Sequence, residues 1–173
     1  MSYIVLDVES DNRCPANGSM VCFGAVLVSD TTKTFYGKTR PITDTWNEES
    51  LAVSGFSREE HEQFEDPKEV MERFEKWILE VSVDRPIFIS DNPCFDWQWI
   101  NYYFWKYLDR NPFGHSGRRI GDLYCGTVMD ASKNAEWKRK LKKTKHTHNP
   151  IDDSMGVAEA LIEMQKMGLK IKF

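Results

Sequence analysis

Two carboxylates sit one residue apart in the run Val5-Leu6-Asp7-Val8-Glu9. On a β-strand alternate side chains share a face, so Asp7 and Glu9 project together. Strands disfavour acidic residues and like charges side by side repel, so the pair is costly unless something compensates it. A hard divalent cation does so, because Mg²⁺ and Mn²⁺ take carboxylate oxygens. A strand end meeting solvent, with both acids hydrated, is the other reading. Two further acidic groups lie downstream. Asp96 closes the segment Asp91-Asn92-Pro93-Cys94-Phe95-Asp96 at the start of a helix, where the helix dipole by itself also favours an Asp. The third group is His148-Asn149-Pro150-Ile151-Asp152-Asp153. Asn149 and Pro150 suit the N-cap and first helical positions, which puts Asp153 in the first turn and His148 on the loop before it. A helical Asp is held rigidly and a loop His can swing, a division that suits a fixed metal ligand beside a mobile general base.

The elements that must carry these groups are readable from local pattern. Residues 3–8, 20–29 and 33–38 are rich in Val, Ile, Leu, Phe and Tyr and are separated by turn-prone stretches, which predicts three strands in a meander. Ser57 and Glu60 have the spacing of a capping box for a short helix over 57–63. Asp66 and Pro67 then open a longer helix whose apolar face is Val70, Phe74, Trp77, Ile78 and Val81. Pro86 to Ser90 reads as a short buried strand, 94–109 as an aromatic helix, and Arg119 to Leu123 as one more strand. The last helix begins near Pro150 and uses Ile151, Met155, Ala158, Leu161 and Ile162 as its stripe. Three strands, helix, strand, helix, strand, helix predicts one α/β domain over 1–173, with a mixed central sheet flanked by helices.

Composition narrows the class. The 173 residues are 40% hydrophobic and 29% charged, as in an ordinary globular protein large enough for a real core. No apolar run approaches the ~20 residues of a membrane span, and Asp7 interrupts the N-terminal apolar run, so neither a membrane partner nor a signal peptide is expected. Cys14, Cys22, Cys94 and Cys125 lack zinc-ligand spacing and scaffold density, which predicts reduced thiols and a cytoplasmic location. A net charge of −4 argues against an all-over electrostatic grip on nucleic acid while allowing a local basic patch.

With Asp7-x-Glu9, Asp96 after Asn92 and an aromatic, and His148-x₄-Asp153 in this order, the chain resembles the DEDDh 3′→5′ exonucleases over nearly its whole length. These are the RNase T, oligoribonuclease and polymerase-proofreading relatives. The resemblance implies a ribonuclease-H-like fold and a phosphodiester hydrolase that releases nucleoside 5′-monophosphates from single-stranded RNA or DNA 3′ ends. It also implies two divalent cations, Mg²⁺ or Mn²⁺, with Asp7 as bridging ligand and Glu9, Asp96 and Asp153 completing their shells. His148 is then the general base, a task suited to a group with unperturbed pKa near 6.5. His146 competes for that role, but no Asp lies five residues beyond it, so the family spacing selects His148. A zinc pair of His146 and His148 has no Cys partner nearby. Two departures bear on substrate choice more than on catalysis. Ser54-Gly55-Phe56 stands where the family commonly has His-Gly-Ile, and Ser10 where it has Thr. Relatives of the RNase T kind are often dimers, so a homodimer is one option.

Substrate contacts follow from the same resemblance. Leu51 and Phe56 would wedge the terminal base, backbone near Glu9 and Ser10 would hold its 3′-hydroxyl, and Asn92 and Phe95 flank the second motif. Lys138 to His146 carries six formal positive charges, Lys142 and Lys143 among them. It is either a solvated helix end or a strip gripping the phosphates that lead into the site. Phe95, Trp97, Trp99, Tyr102, Tyr103, Phe104, Trp105 and Tyr107 surround one helix, more than one core face needs, and the surplus suits base stacking or a dimer interface. Asp122 is read as a surface loop acid, with a contribution near the site as the alternative. RNA and DNA are not distinguished; a chain without polymerase or helicase segments leans towards RNA trimming or short-oligonucleotide turnover. The rival class is a nucleic-acid- or protein-binding domain that kept the fold without catalysis.

Overall fold

Strand β1 (Ser2–Ser10) is the axis of the structure, a computed structural model that describes residues 1–172. Its even positions Ile4, Leu6 and Val8 enter one apolar core and its odd positions Tyr3 and Val5 enter a second on the opposite face. This is the period-two alternation of a strand buried on both sides. The strand order is β3-β2-β1-β4-β5. β2 (Met20–Leu27) and β3 (Thr34–Lys38) continue antiparallel from β1 as the expected meander. On the other side β4 (Pro86–Ser90) and β5 (Gly117–Arg119) run parallel, as their helical crossovers require.

Helices α1 (Glu48–Val53) and α2 (Arg58–Glu62) follow β3. Asn47 caps the first, and Ser57 and Glu60 form the capping box of the second. α3 (Pro67–Val81) is capped by Asp66 and buries Val70, Met71, Phe74 and Ile78 against β1, β2 and α4 (Pro93–Leu108). α4 buries Trp99, Tyr103 and Phe104, half-buries Phe95, Trp97 and Tyr107, and leaves Tyr102 and Trp105 exposed. α5 (Ile120–Val128), a 3₁₀ turn (Ala131–Lys133), α6 (Trp137–Lys140) and α7 (Pro150–Lys166) cover the opposite face.

Three readings need correction. The strand expected over Arg119 to Leu123 ends at Arg119, and Ile120 begins α5. Only Gly117 to Arg119 find partners, on Phe88 to Ser90, while Ile120 and Tyr124 take helical spacing and enter the second core. Over so few residues an apolar run does not distinguish the two periods. Asp122 accordingly lies in the first turn of α5, exposed, 3.6 Å from Arg119, and not on a loop. On α7 the predicted stripe is too narrow. Ile151, Met155 and Ile162 are only half-buried, whereas Gly156, Val157, Ala160 and Met164 are buried. Small residues let this helix lie broadside on β1 and β2, so it buries a broad face.

Candidate active site

β1 supplies the first two acids on one face, and it is the face that α7 covers. Asp7 and Glu9 follow Tyr3 and Val5 in the odd register. Opposite Asp7 in the β1–β2 register is Gly24. A Cβ on Gly24 would stand 2.5 Å from the Pro150 carbonyl carbon and 2.6 Å from the Ile151 nitrogen. The bare backbone there lets the N-terminus of α7 settle on β2, where the Ser154 hydroxyl donates to the Gly24 carbonyl at 3.2 Å. Asp153, in the first turn, is thereby brought over Asp7.

Asp96 arrives from the other neighbour of β1. β4 pairs with β1 only as far as Val5, opposite Ile89, and then turns into α4. The Val8 amide beyond that point donates instead to Asp96 Oδ1 at 3.2 Å. The first turn of α4 thus replaces a sheet partner with a carboxylate. Asn92 is the N-cap; its carbonyl accepts from the Phe95 and Asp96 amides.

The result is a mutually repelling cluster. Burial raises the Asp7 pKa well above the carboxylate range, and the charges of Asp96, Glu9 and Asp153 add to it, with Lys142 opposing. Burial, then Asp153, lifts Glu9 to about 7. Burial lifts Asp96 to about 7 against its hydrogen bonds. Oxygen donors that are this reluctant to ionise together suit hard divalent cations, and the donor set fits Mg²⁺ or Mn²⁺. Among the described residues, however, no three His, Cys, Asp or Glu side chains are already gathered into a cation cage. Asp153 is held by other partners. Its Oδ1 accepts from Lys142 Nζ at 3.1 Å and lies 2.7 Å from His146 Nδ1, and its Oδ2 accepts from the His148 amide at 3.1 Å.

Both histidines reach the cluster. His148 adopts a left-handed backbone (φ 59°) on the loop before α7 and places Nδ1 3.6 Å from Glu9 Oε1. The His146 ring packs edge-on against it at 4.2 Å between centroids and lines the main cavity, of about 550 Å³, with Asp7, Asp153, Lys142, Lys145 and Trp137.

Of the expected substrate residues, Ser10, Phe95, Leu51 and Phe56 fall into two hollows, Lys142 lines the main cavity, and Asn92 and Lys143 line none of these. Glu9, Ser10 and Phe95 share a cavity of about 150 Å³ with Asn12, Arg13, Ser50 and Val53. Leu51 and Phe56 line another, of about 340 Å³, beside Trp46 and Arg58. The basic strip is folded back on the protein's own acids: Lys138 on Asp91, Lys140 on Glu136, Lys142 on Asp153 and Lys143 on Glu163. Asp11 would continue the alternation of Asp7 and Glu9, but a register shift between Glu9 and Ser10 diverts it. It is buried against the Ser19 amide, with Arg58 at 3.2 Å and His61 at 3.7 Å. The part played by Gly24, the hold of Lys142 and His146 on Asp153, and the lining residues Arg13 and Ser50 were missed from sequence. Only an isolated Gly inside the β2 pattern was a usable signal.

No protein-family model matches the chain. A curated relative, the 3′-5′ DNA exonuclease Cap18 of Escherichia coli, is 32% identical over 178 residues, which cover 98% of this chain and 95% of that one. Among solved structures, the nuclease domain of 3′hExo, a DEDDh family member bound to rAMP, matches with a TM-score of 0.79 at 17% identity, over 99% of this chain and 94% of that one. Escherichia coli exonuclease I in complex with a dA16 oligonucleotide matches with a TM-score of 0.67 at 12% identity, over 98% of this chain and 41% of that one. The mixed sheet, the three acidic motifs on β1, α4 and α7, and the relative aligned along almost its whole length agree: the chain belongs to the DEDDh 3′→5′ exonucleases, with their ribonuclease-H-like fold.

Proposed function

We propose that the enzyme removes nucleoside 5′-monophosphates from single-stranded DNA 3′ ends with two divalent cations and a histidine base. The observation that carries this reading is the convergence of Asp7, Glu9, Asp96 and Asp153, from three elements, on one site where burial raises the pKa values of Asp7, Glu9 and Asp96 and neighbouring acids of the cluster raise those of Asp7 and Glu9 further. Those four carboxylates would hold Mg²⁺ or Mn²⁺, which when bound acidify a water and stabilise the departing 3′-oxygen. His148 takes the proton of the attacking water; a loop imidazole beside Glu9 is placed for it. His146 is the second reading, favoured by its place in the main cavity and its contact with Asp153.

Ser10 and the backbone beside Glu9 hold the terminal 3′-hydroxyl, Phe95 bounds that hollow, and Leu51 and Phe56 wedge the last base. Lys142, Lys143 and Lys145 meet phosphates of the entering strand. DNA is favoured over RNA because the relative aligned along nearly the whole chain is named a DNA exonuclease. That shifts the balance from the RNA-trimming expectation. No helix of the described residues is long and apolar enough to cross a membrane.

The experiment is digestion of 5′-labelled single-stranded DNA, RNA and duplex DNA in Mg²⁺, Mn²⁺ or EDTA, with Asp7→Ala as control. A ladder shortening from the 3′ end, mononucleotide products, loss in EDTA and loss in the control are expected. Internal cleavage products, or wild-type activity in Asp7→Ala with Mn²⁺, would overturn the assignment.

A further inference from the structure

We propose that Lys142 is a resident cation of the acidic cluster, seated on Asp153 by a groove in α7, and that a divalent cation must displace it to bind. The proposal rests on the metal reading above and concerns what that site holds before metal arrives.

The first observation is the pair itself. Lys142 Nζ lies 3.1 Å from Asp153 Oδ1, with side-chain exposures of only 12% and 6%. Such a pair is screened far less than the surface pairs of the same strip. The second is the groove. Gly156 lies three residues beyond Asp153 on α7, hence on the same face. A Cβ there would stand 2.3 Å from Lys142 Cε and 2.8 Å from its Cδ and Cγ. Glycine is disfavoured inside a helix. Here its missing side chain is the space through which the lysine stem runs along α7 to Asp153.

The backbone that delivers the lysine is itself tied down. The Lys142 amide donates to the Trp137 carbonyl at 3.2 Å, and the Lys143 and Thr144 amides donate to Glu159 Oε2 at 2.9 and 2.8 Å. Lys142 is therefore presented to the site from two anchored sides.

Crowding and charge at Asp153 then favour displacement. A carboxylate oxygen has two lone pairs. On Asp153 Oδ1, Lys142 takes one while His146 Nδ1 stands 2.7 Å away, and Oδ2 already accepts from the His148 amide. A cation approaching Oδ1 meets the Lys142 ammonium within hydrogen-bond distance of the same oxygen. Lys142 brings a permanent charge whose field already acts on Asp7. Evicting it relieves a like-charge conflict with the incoming metal.

The test is binding of Mn²⁺ alone to metal-free protein, read from the electron paramagnetic resonance signal of free Mn²⁺, for wild type and two variants. Lys142→Met keeps the stem and removes the charge. Gly156→Ala keeps every charge and fills the groove, pushing the lysine off its seat. Lys142→Met should bind Mn²⁺ about tenfold more tightly, and Gly156→Ala several-fold more tightly. Circular dichroism checks that each variant folds, and Lys142→Gln replaces Lys142→Met if that variant does not. Tighter binding in Lys142→Met with unchanged binding in Gly156→Ala would show a charge acting from any position and would overturn the seat. Wild-type binding with no gain in either variant overturns the proposal alone. Wild type that binds no Mn²⁺ overturns the metal reading itself and, with it, this one.

Discussion

Neutralising Glu9 should make the metal-free protein more stable, and the gain should depend on pH. Burial first, then the charge of Asp153, moves the Glu9 pKa from the usual 4.5 to about 7. A carboxyl whose folded pKa is raised favours the folded state fully below the unfolded pKa, and that advantage is lost as pH rises through the folded pKa. The window for Glu9 therefore runs from pH 4.5 to about 7. A shift of that size corresponds to about 3 kcal/mol at pH 8 and to less than about 1 kcal/mol at pH 5. Glutamine keeps the shape and removes the charge but still carries a polar group to desolvate. Glu9→Gln should thus stabilise the protein by about 2 kcal/mol at pH 8 and hardly at all at pH 5. Urea denaturation in EDTA at the two pH values measures it. Saturating Mg²⁺ should erase or reverse the advantage, because wild type then gains binding free energy that the variant lacks. A gain equal at both pH values would trace to packing, and no gain at pH 8 would mean that the Glu9 charge is neither buried nor opposed by Asp153; either refutes the buried acidic cluster on which the site assignment stands.

His148→Ala should lose roughly 10²–10⁴-fold in single-turnover rate with Mn²⁺ binding largely kept, and His146→Ala far less; the reverse ranking would make His146 the base. Gly24→Ala drives a methyl into the α7 backbone and should cost about 1–3 kcal/mol by thermal or urea denaturation. It should also lower activity by moving Asp153 off Asp7, and a silent substitution would contradict that close approach. Replacing Lys143 and Lys145 by Ala should weaken single-strand binding in Ca²⁺ and reduce the salt slope by about 0.7 for each phosphate the strip no longer neutralises. An unaltered slope would leave binding to the aromatic and apolar hollows.

What the sequence determined by itself was whatever depends on neighbours along the chain. Alternation placed Asp7 and Glu9 on one face of β1, and caps at Asn149 and Asp66 placed the starts of α7 and α3. Motif order carried the family, because the identity of acids and their sequence separations are local facts. Short elements escaped: α1, α6 and the start of α5 are too brief for periodicity to separate them from loops or strands. Only tertiary structure decided which charges face which. The alternation of Asp7, Glu9 and Asp11 looks uniform until a bulge after Glu9 turns Asp11 away to Arg58 and His61. Lys142 reads as one more charge in a solvated strip until Gly156 opens a groove that carries it to Asp153. Gly24 and Gly156 share one physical reason. A close approach between backbone and a distant segment is fixed by packing, and a missing Cβ announces room without saying what fills it.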